Sequence, residues 1–448
     1  MKNIFFLFAA LAFFLSCEQA VLIDSRGISI RREWTFIVYM AADNDLESAA
    51  IADLNELEAV RIDARISILA LVDRNPGYDM TNGNWSDTRL FEVKTDPNGL
   101  NSTIVSRRLD CPELGLSKEA ETELNTADPL VLSRLIDFAK RSYPAENYAL
   151  FVWGHGTGWR NGQFAVTPQA LKKATAFDDT QGQYMSLPSF GRAIADKGLS
   201  LIGFDTCYAA VLELAYQIRN DAELFVGSEG EILSNGWDYT SLFNDFLSKP
   251  YLTVNDLGDS IQGKFAAQYA TLSGATISQV CLPEIENLFM KFDAFAGTLA
   301  VAITDESARN AVLDQVLHNV EGYHFTSFPS DLYIDIFDFS KKISGIRTDI
   351  TSDSGKQSAI VKAANELDGA LDLAVPSSWA KNGTTNKLGV HVIPLQGISV
   401  PASSHELAYV RGSMAIDKSA FVENSLHWVP NAVPQNDSLL DKLFYWTY

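Results

Sequence analysis

At 448 residues the chain is long enough for one large domain or two to three smaller ones. Apolar residues make up 47% and charged residues 20%, which fits a globular protein with a substantial core. The formal net charge of -21, with no dense basic stretch to offset it, argues against a nucleic-acid partner. That acidity could favour basic substrates, although solubility alone explains most acidic surfaces.

The first residues, MKNIFFLFAALAFFLSC, carry Lys2, an apolar run from Ile4 to Leu15, then a small residue and a cysteine. This is the pattern of a secretory signal, too short for a comfortable spanning helix. Phe14-Leu15-Ser16-Cys17 resembles a bacterial lipobox, which implies that Cys17 becomes the lipidated first residue. Phe14 departs from the usual aliphatic residue there, so a secreted chain without lipid is the alternative. We therefore expect a signal over 1–17, a tether over 18–33, and an exported cell-envelope lipoprotein. No other stretch is long and apolar enough to span a membrane. Cys111, Cys207 and Cys281 remain, an odd number that leaves at least one thiol without an intramolecular partner.

Trp34 to Met40 (WTFIVYM) is a continuous apolar run rich in β-formers, expected as a strand buried on both faces. Leu46, Ala50, Leu54 and Leu57 then fall at helical spacing, and Ile66 to Val72 forms a second buried strand. This βαβ unit implies a parallel sheet with a right-handed crossover. Leu90 to Val93 is a further candidate strand, and 97–127 an irregular excursion. Asp128-Pro129 starts a helix running to about Arg141, by an N-cap acid and proline at the first position. Tyr148 to Trp153 is the third buried strand, followed by Gly154-His155-Gly156. A long polar loop over 157–182, a helix near 187–196 and a strand over 199–204 lead to Asp205-Thr206-Cys207. A helix then runs through Arg219, and 224–227 is a short strand. Further on we expect helices near 254–269 and 284–302, and strands near 275–282, 371–375 and 388–393. The expected division is a core over 34–270 and a region over 271–448 that completes the fold or forms a smaller second domain.

Two reactive side chains recur in one geometry: His155 follows the strand YALFVW, and Cys207 follows LIGFD. In open parallel sheets the functional crevice lies beyond the carboxyl ends of the strands. An imidazole beside a thiol can take its proton, generate the thiolate nucleophile and return a proton to a leaving amine. The amides of Gly156 and Cys207 could stabilise the developing oxyanion. In isolation, a cysteine after an apolar strand is more often a core thiol, and a histidine between glycines a turn residue. The pair, with histidine roughly fifty residues before cysteine as in caspases, favours catalysis. Asp43-Asn44-Asp45 with Glu47 lacks the glycine and spacing of a calcium loop and reads as a turn and helix start. The remaining histidines, His318, His324, His391, His405 and His427, show no paired ligand spacing, so neither a metal nor a cofactor is expected. No Gly-x-Ser-x-Gly motif supports a serine hydrolase.

WTFIVYMAADNDLE (34–47), YALFVWGHGTGW (148–159) and LIGFDTCYAA (201–210) resemble the signature blocks of the clostripain family of cysteine peptidases, and YIDIFDFSKKI (333–343) a further block. The resemblance implies a caspase-like α/β fold, a mostly parallel sheet between helical layers, with His155 as general base and Cys207 as nucleophile. It implies peptide or protein substrates cut after arginine or lysine, read by two acids in the first specificity pocket. One matches Asp205, whose plainer role is an N-cap for the following helix. The other lies in a Pro-Gly-Asp-Gly-Trp loop that here reads Leu233-Ser234-Asn235-Gly236-Trp237, so Asn235 stands where the family has an acid. Either one charge of the clamp is missing, or the alignment shifts and Asp238 or Glu231 supplies it. The family is often cut between the histidine and cysteine blocks, where Lys172-Lys173 lie. The expected function is a lipid-anchored cysteine endopeptidase; the alternative is a surface binding lipoprotein that kept the fold and lost turnover.

Overall fold

The computed structural model describes residues 22–23, 29–30, 32–156, 175–272, 274–315, 322–325, 328–381, 399–401 and 439–444. Cys17, Lys172-Lys173 and the strand expected at 388–393 lie outside these residues. The first strands are β1 (Leu22–Ile23), β2 (Ser29–Ile30), β3 (Trp34–Ala42), β4 (Ile66–Arg74), β5 (Thr88–Glu92), β6 (Arg107–Arg108), β7 (Asn147–Trp153) and β8 (Thr175–Asp178). They are followed by β9 (Gln183–Met185), β10 (Leu201–Asp205), β11 (Leu224–Gly227), β12 (Thr276–Cys281), β13 (Gly322–Phe325), β14 (Phe328–Asp335), β15 (Ser377–Ala380) and β16 (Ser399–Pro401). The helices are α1 (Glu47–Glu58), α2 (Pro129–Ser142), α3 (Leu187–Ile194), α4 (Leu212–Ile218), α5 (Tyr239–Leu247) and α6 (Val254–Gln268). After these come α7 (Ile285–Ala302), α8 (Glu306–Asp314), α9 (Ile336–Gly345), α10 (Arg347–Ile350), α11 (Ser354–Ala374) and α12 (Leu439–Phe444).

The central sheet has the order β15-β12-β11-β10-β7-β3-β4-β5-β6. Its inner strands β11, β10, β7, β3 and β4 are parallel, and antiparallel strands extend both edges. Every residue of β3 is buried. Its side chains alternate between two cores, as the period of two demands. Ile37, Tyr39 and Ala41 face the core packed by α2, α3, α4, α7, α9 and α11, while Trp34, Phe36, Val38 and Met40 face that packed by α1, α5 and α6. Helices thus cover both faces, the arrangement a sheet of continuous apolar strands requires.

Local chemistry explains where the helices begin. Asp128 caps α2 by accepting from the Leu130 amide, with Pro129 at the first helical position. Thr253 and Asp256 form a reciprocal capping box on α6. The strand expected at 371–375 is instead the last turn of α11. Ile360, Ala364, Leu367, Leu371 and Ala374 are buried at helical spacing, so a short apolar run whose period was ambiguous follows the longer helix it belongs to. The loop expected over 157–182 contains a strand, because β8 pairs antiparallel with β9. The sequence reading also passed over α5, α8 and the helical character of 336–345. Strands β12 and β15 bring segments beyond residue 270 into the central sheet. Among the described residues no helix is long and apolar enough to cross a membrane.

Phe36 packs against Phe243 at 4.8 Å and 82° and against Phe151 at 5.8 Å, at the centre of the second core. Phe36→Ala should destabilise the protein by about 3–5 kcal/mol, read as a lower urea midpoint at unchanged slope.

Candidate active site

The sheet changes direction of winding between β3 and β7. The chain crosses from β3 to β4 on one side, then places β7, β10 and β11 successively on the other. Crevices at such switch points lie beyond the carboxyl ends of the strands. Here those ends are level: Met40 pairs with Trp153, and Trp153 with Asp205. Three turns therefore lie side by side, Asp43 to Leu46, Gly154 to Gly156, and Thr206 to Tyr208.

Gly154 adopts φ +135°, and a side chain there would meet the Ala41 carbonyl at 3.0 Å. His155 follows, about one third exposed, with Nε2 2.7 Å from Asp45 Oδ1. Phe177 of β8 stands edge-on to the imidazole at 5.9 Å and 90°. Gly156 bridges to Thr175 and is wedged against the cysteine turn. A Cβ at Gly156 would lie 2.6 Å from the Cys207 carbonyl oxygen and 2.6 Å from Thr206 Oγ1. The histidine and cysteine turns are thus in direct contact, and only glycine fits between them.

Cys207 is half-buried. The Ile232 amide donates to its sulfur at 3.3 Å, and the thiol faces the Ile232 carbonyl at 3.5 Å. Burial pushes the thiol up to about 11, with the nearby Glu231 and Asp205 carboxylates adding to the effect. A thiol held this way stays protonated at neutral pH unless a base takes its proton. Tyr208 immediately after it has φ +54°, a conformation costly for a residue with a side chain. Its amide donates to the Gly230 carbonyl and its hydroxyl to Glu231 Oε1, which hold the strained turn against the 228–237 loop. Ala210 donates to the Ser228 carbonyl in the same ladder.

Asp205 is not an N-cap of α4, whose cap position is Val211. Its buried carboxylate accepts from the Trp237 amide and the Tyr239 hydroxyl on Oδ2, both at 3.0 Å. Among the described residues, Asp205 Oδ1 has no hydrogen-bond partner. Burial raises its carboxyl to about 7, against the opposing effect of the Trp237 and Tyr239 bonds. A pocket of about 230 Å³ opens here, lined by His155, Asp205, Thr206 and Cys207, with Leu46, Trp153 and Gly154 on one side and Ile232, Leu233, Ser234 and Gly236 on the other. Trp153 is held by its indole N–H, which donates to Asp53 Oδ2 at 2.6 Å. Asn235 is exposed and does not line this pocket, although both its neighbours do. Of the other acids weighed for the clamp, Glu231 is engaged by Tyr208, and Asp238 caps α5 by accepting from the Ser241 amide. The expected site residues His155, Gly156, Asp205 and Cys207 are therefore brought together, and Asn235 stands outside.

Sequence reading missed Asp45 and Ile232 as neighbours of the reactive pair. The signal for Asp45 was its place just beyond the carboxyl end of β3, the same position relative to the sheet as His155. Nothing in the sequence marked Ile232, whose contact is made by backbone atoms.

The acids of the 43–47 turn diverge. Glu47 is buried against Arg74, whose Nε donates at 2.6 Å, and Trp85 stacks on that guanidinium at 4.6 Å. Asp43 instead meets Asp73 and Asp178, with one oxygen of each within 4.8 Å of the others, close enough to hold a metal ion. All six oxygens already accept protein hydrogen bonds. Asn75 and the Thr180 amide serve Asp43, Thr88 and Thr126 hydroxyls serve Asp73, and the Gln181 and Thr126 amides serve Asp178. Burial raises Asp73 well above the carboxylate range and Asp178 to about 6.

A histidine turn and a cysteine turn on adjacent parallel strands, at the switch point of a sheet with helices on both faces, define a caspase-like α/β protein. Residues 38–375 match the clostripain family (peptidase C11), and the chain belongs to that family. It is 28% identical over 227 residues to clostripain of Hathewaya histolytica, covering 47% of this chain and 41% of that protein. The match thus spans about two fifths of that relative's length. Two solved structures share the fold. An inactive zymogen C11 protease from Parabacteroides distasonis is 19% identical, with a TM-score of 0.58 over 84% of this chain and 93% of that one. A secreted C11 cysteine protease from Bacteroides thetaiotaomicron, in complex with an irreversible peptide inhibitor, is 21% identical, with a TM-score of 0.55 over 85% and 97%.

Proposed function

We propose that this chain is an exported cysteine endopeptidase in which His155 is the general base and Cys207 the nucleophile. The observation that carries the reading is that both side chains line one pocket at the carboxyl ends of adjacent strands. The imidazole takes the thiol proton, and the thiolate attacks the scissile carbonyl of a bound peptide. The resulting oxyanion is met by the amides of Gly156 and Cys207, each such donor worth about 3 kcal/mol of barrier. The imidazolium returns the proton to the leaving amine, and water hydrolyses the acyl-enzyme by the same base. Cys207→Ala should lower peptide turnover by about 10³-fold or more while leaving the melting temperature near that of wild type. His155→Ala should be nearly as severe, with a residual rate that climbs at high pH as the thiol ionises unaided. Turnover surviving in a clean Cys207→Ala preparation would overturn the assignment.

The residue before the cut enters the pocket whose charged wall is Asp205. A buried carboxylate favours a cation and repels an anion, so arginine and lysine are preferred and aspartate and glutamate rejected. Asn235 stands at the exposed rim, where a polar side chain adds a hydrogen bond at most and water screens any charge. Asp205 is charged only above its raised value of about 7. The ratio of kcat/KM for arginine over glutamine peptides should therefore rise about tenfold between about pH 6 and about pH 8, following the ionised fraction. A flat ratio across that range would remove Asp205 from the specificity pocket.

The leader ending at Cys17 supports export and anchoring to the cell envelope by lipid at that cysteine. Labelling with radioactive palmitate in a bacterial host should tag the wild-type chain and not Cys17→Ala. Labelling of neither would return the chain to the class of secreted proteins without an anchor. The binding-protein alternative predicts no turnover from either wild type or variant.

A further inference from the structure

We propose that Asp45 is a positioning residue for His155, fixing the imidazole with its proton on Nε2 so that Nδ1 is the nitrogen that receives the Cys207 proton. The inference rests on the peptidase reading given above and deepens it. Its direct observation is the 2.7 Å contact between His155 Nε2 and Asp45 Oδ1. A carboxylate only accepts, so Nε2 must donate, and the neutral ring then offers Nδ1 as its acceptor.

The turn that carries Asp45 is built rigidly. Asn44 is fully buried, and its side-chain amide donates to the Ala41 carbonyl at 2.9 Å and to the Phe177 carbonyl at 3.1 Å. Its side-chain oxygen accepts the Leu46 amide at 3.0 Å, and its own amide donates to the Ala42 carbonyl at 2.7 Å. Phe177, tied to this turn through its carbonyl, is the same residue that stands edge-on to the His155 ring. One buried asparagine therefore fixes both the carboxylate beside the imidazole and the aromatic wall behind it. The β3–β7 register adds the third constraint, since Met40 pairs with Trp153 and so the turns carrying Asp45 and His155 leave the sheet at one height.

The proton balance is simple. The thiol proton passes to Nδ1, and the Nε2 proton stays on the ring, hydrogen-bonded to Asp45 throughout. Asp45 never touches the substrate and acts through His155. It is more than half exposed, so its effect is mainly orientation and choice of tautomer, with the charge screened by water.

The test compares wild type with Asp45→Ala and Asp45→Asn. Peptide turnover is measured alongside nitrogen-15 NMR of the protein labelled in histidine, assigned by His155→Ala and run under conditions where the ring is neutral. Asp45→Ala should lower kcat by about 10–100-fold with KM changed less than about twofold, because ground-state binding does not use this contact. Asp45→Asn should recover most of that loss, since its amide oxygen can still accept from Nε2. In the spectra, wild type and Asp45→Asn should show the proton on Nε2, and Asp45→Ala a mixture of the two tautomers. An unchanged His155 tautomer in Asp45→Ala overturns the proposal, as does a kcat equal to wild type. Equal loss in both variants at equal stability also overturns it. If wild type itself shows no turnover, the peptidase reading fails while the spectra still decide the role of Asp45.

Discussion

The site depends on the parallel register that ties β3, β7 and β10 together. The ladder that pairs Met40 with Trp153 and Trp153 with Asp205 sets three turns at one height. Because side chains alternate along a strand, slipping β7 by one residue would exchange the residues facing the two cores. Both cores are filled by large groups, Phe36 and Phe151 on one side and Tyr39 and Leu150 on the other, so that slip is strongly opposed. The hydrophobic burial of three strands is therefore what aligns His155 with Cys207, and neither side chain has to supply the alignment energy itself.

The second ordering influence is electrostatic. Around the pocket, Asp205, Asp53 and Glu56 are withdrawn from water, and burial raises all three, Glu56 to about 7. Among the described residues none of them is ion-paired with a lysine or arginine. By contrast, Glu47 is ion-paired with Arg74, and Asp87 with Arg89 and Arg108. The acids around the pocket thus rely on neutral hydrogen-bond donors, and burial holds them towards their protonated form.

Much of this was legible from the chain alone, for a specific reason. WTFIVYM, ISILALV and YALFVW are continuous apolar runs rich in β-branched and aromatic residues, the pattern of doubly covered parallel strands. Reactive residues at their ends then fall in the crevice without further information. What stayed hidden depends on contacts between segments far apart in sequence. LDLAV reads as a strand in isolation, and only its packing at helical spacing as the end of α11 makes it helical. Asn235 aligns with a specificity acid by sequence, yet the bend at Gly236 leaves it outward while Ser234 and Gly236 face the pocket. Asp205 looks like a helix cap because a helix follows, but α4 begins several residues later and the carboxylate turns toward Trp237 and Tyr239.

Gly236 bears on how such a pocket can change. It has φ +55°, and a Cβ there would lie 2.5 Å from Asp205 Oδ2. One strand away from the rim, a Cβ at Gly203 would lie 2.9 Å from the Trp237 ring. The pocket is therefore closed to a side chain at Gly236, which would drive into the carboxylate, and Gly203 behind it has no room against the Trp237 ring whose amide holds Asp205. Leu233, Ser234 and Asn235 are all exposed and carry no such restriction. A new side chain can thereby reach the pocket at Leu233 and Ser234 on its outer lip, while the carboxylate beneath them stays boxed in by Gly236 and Trp237.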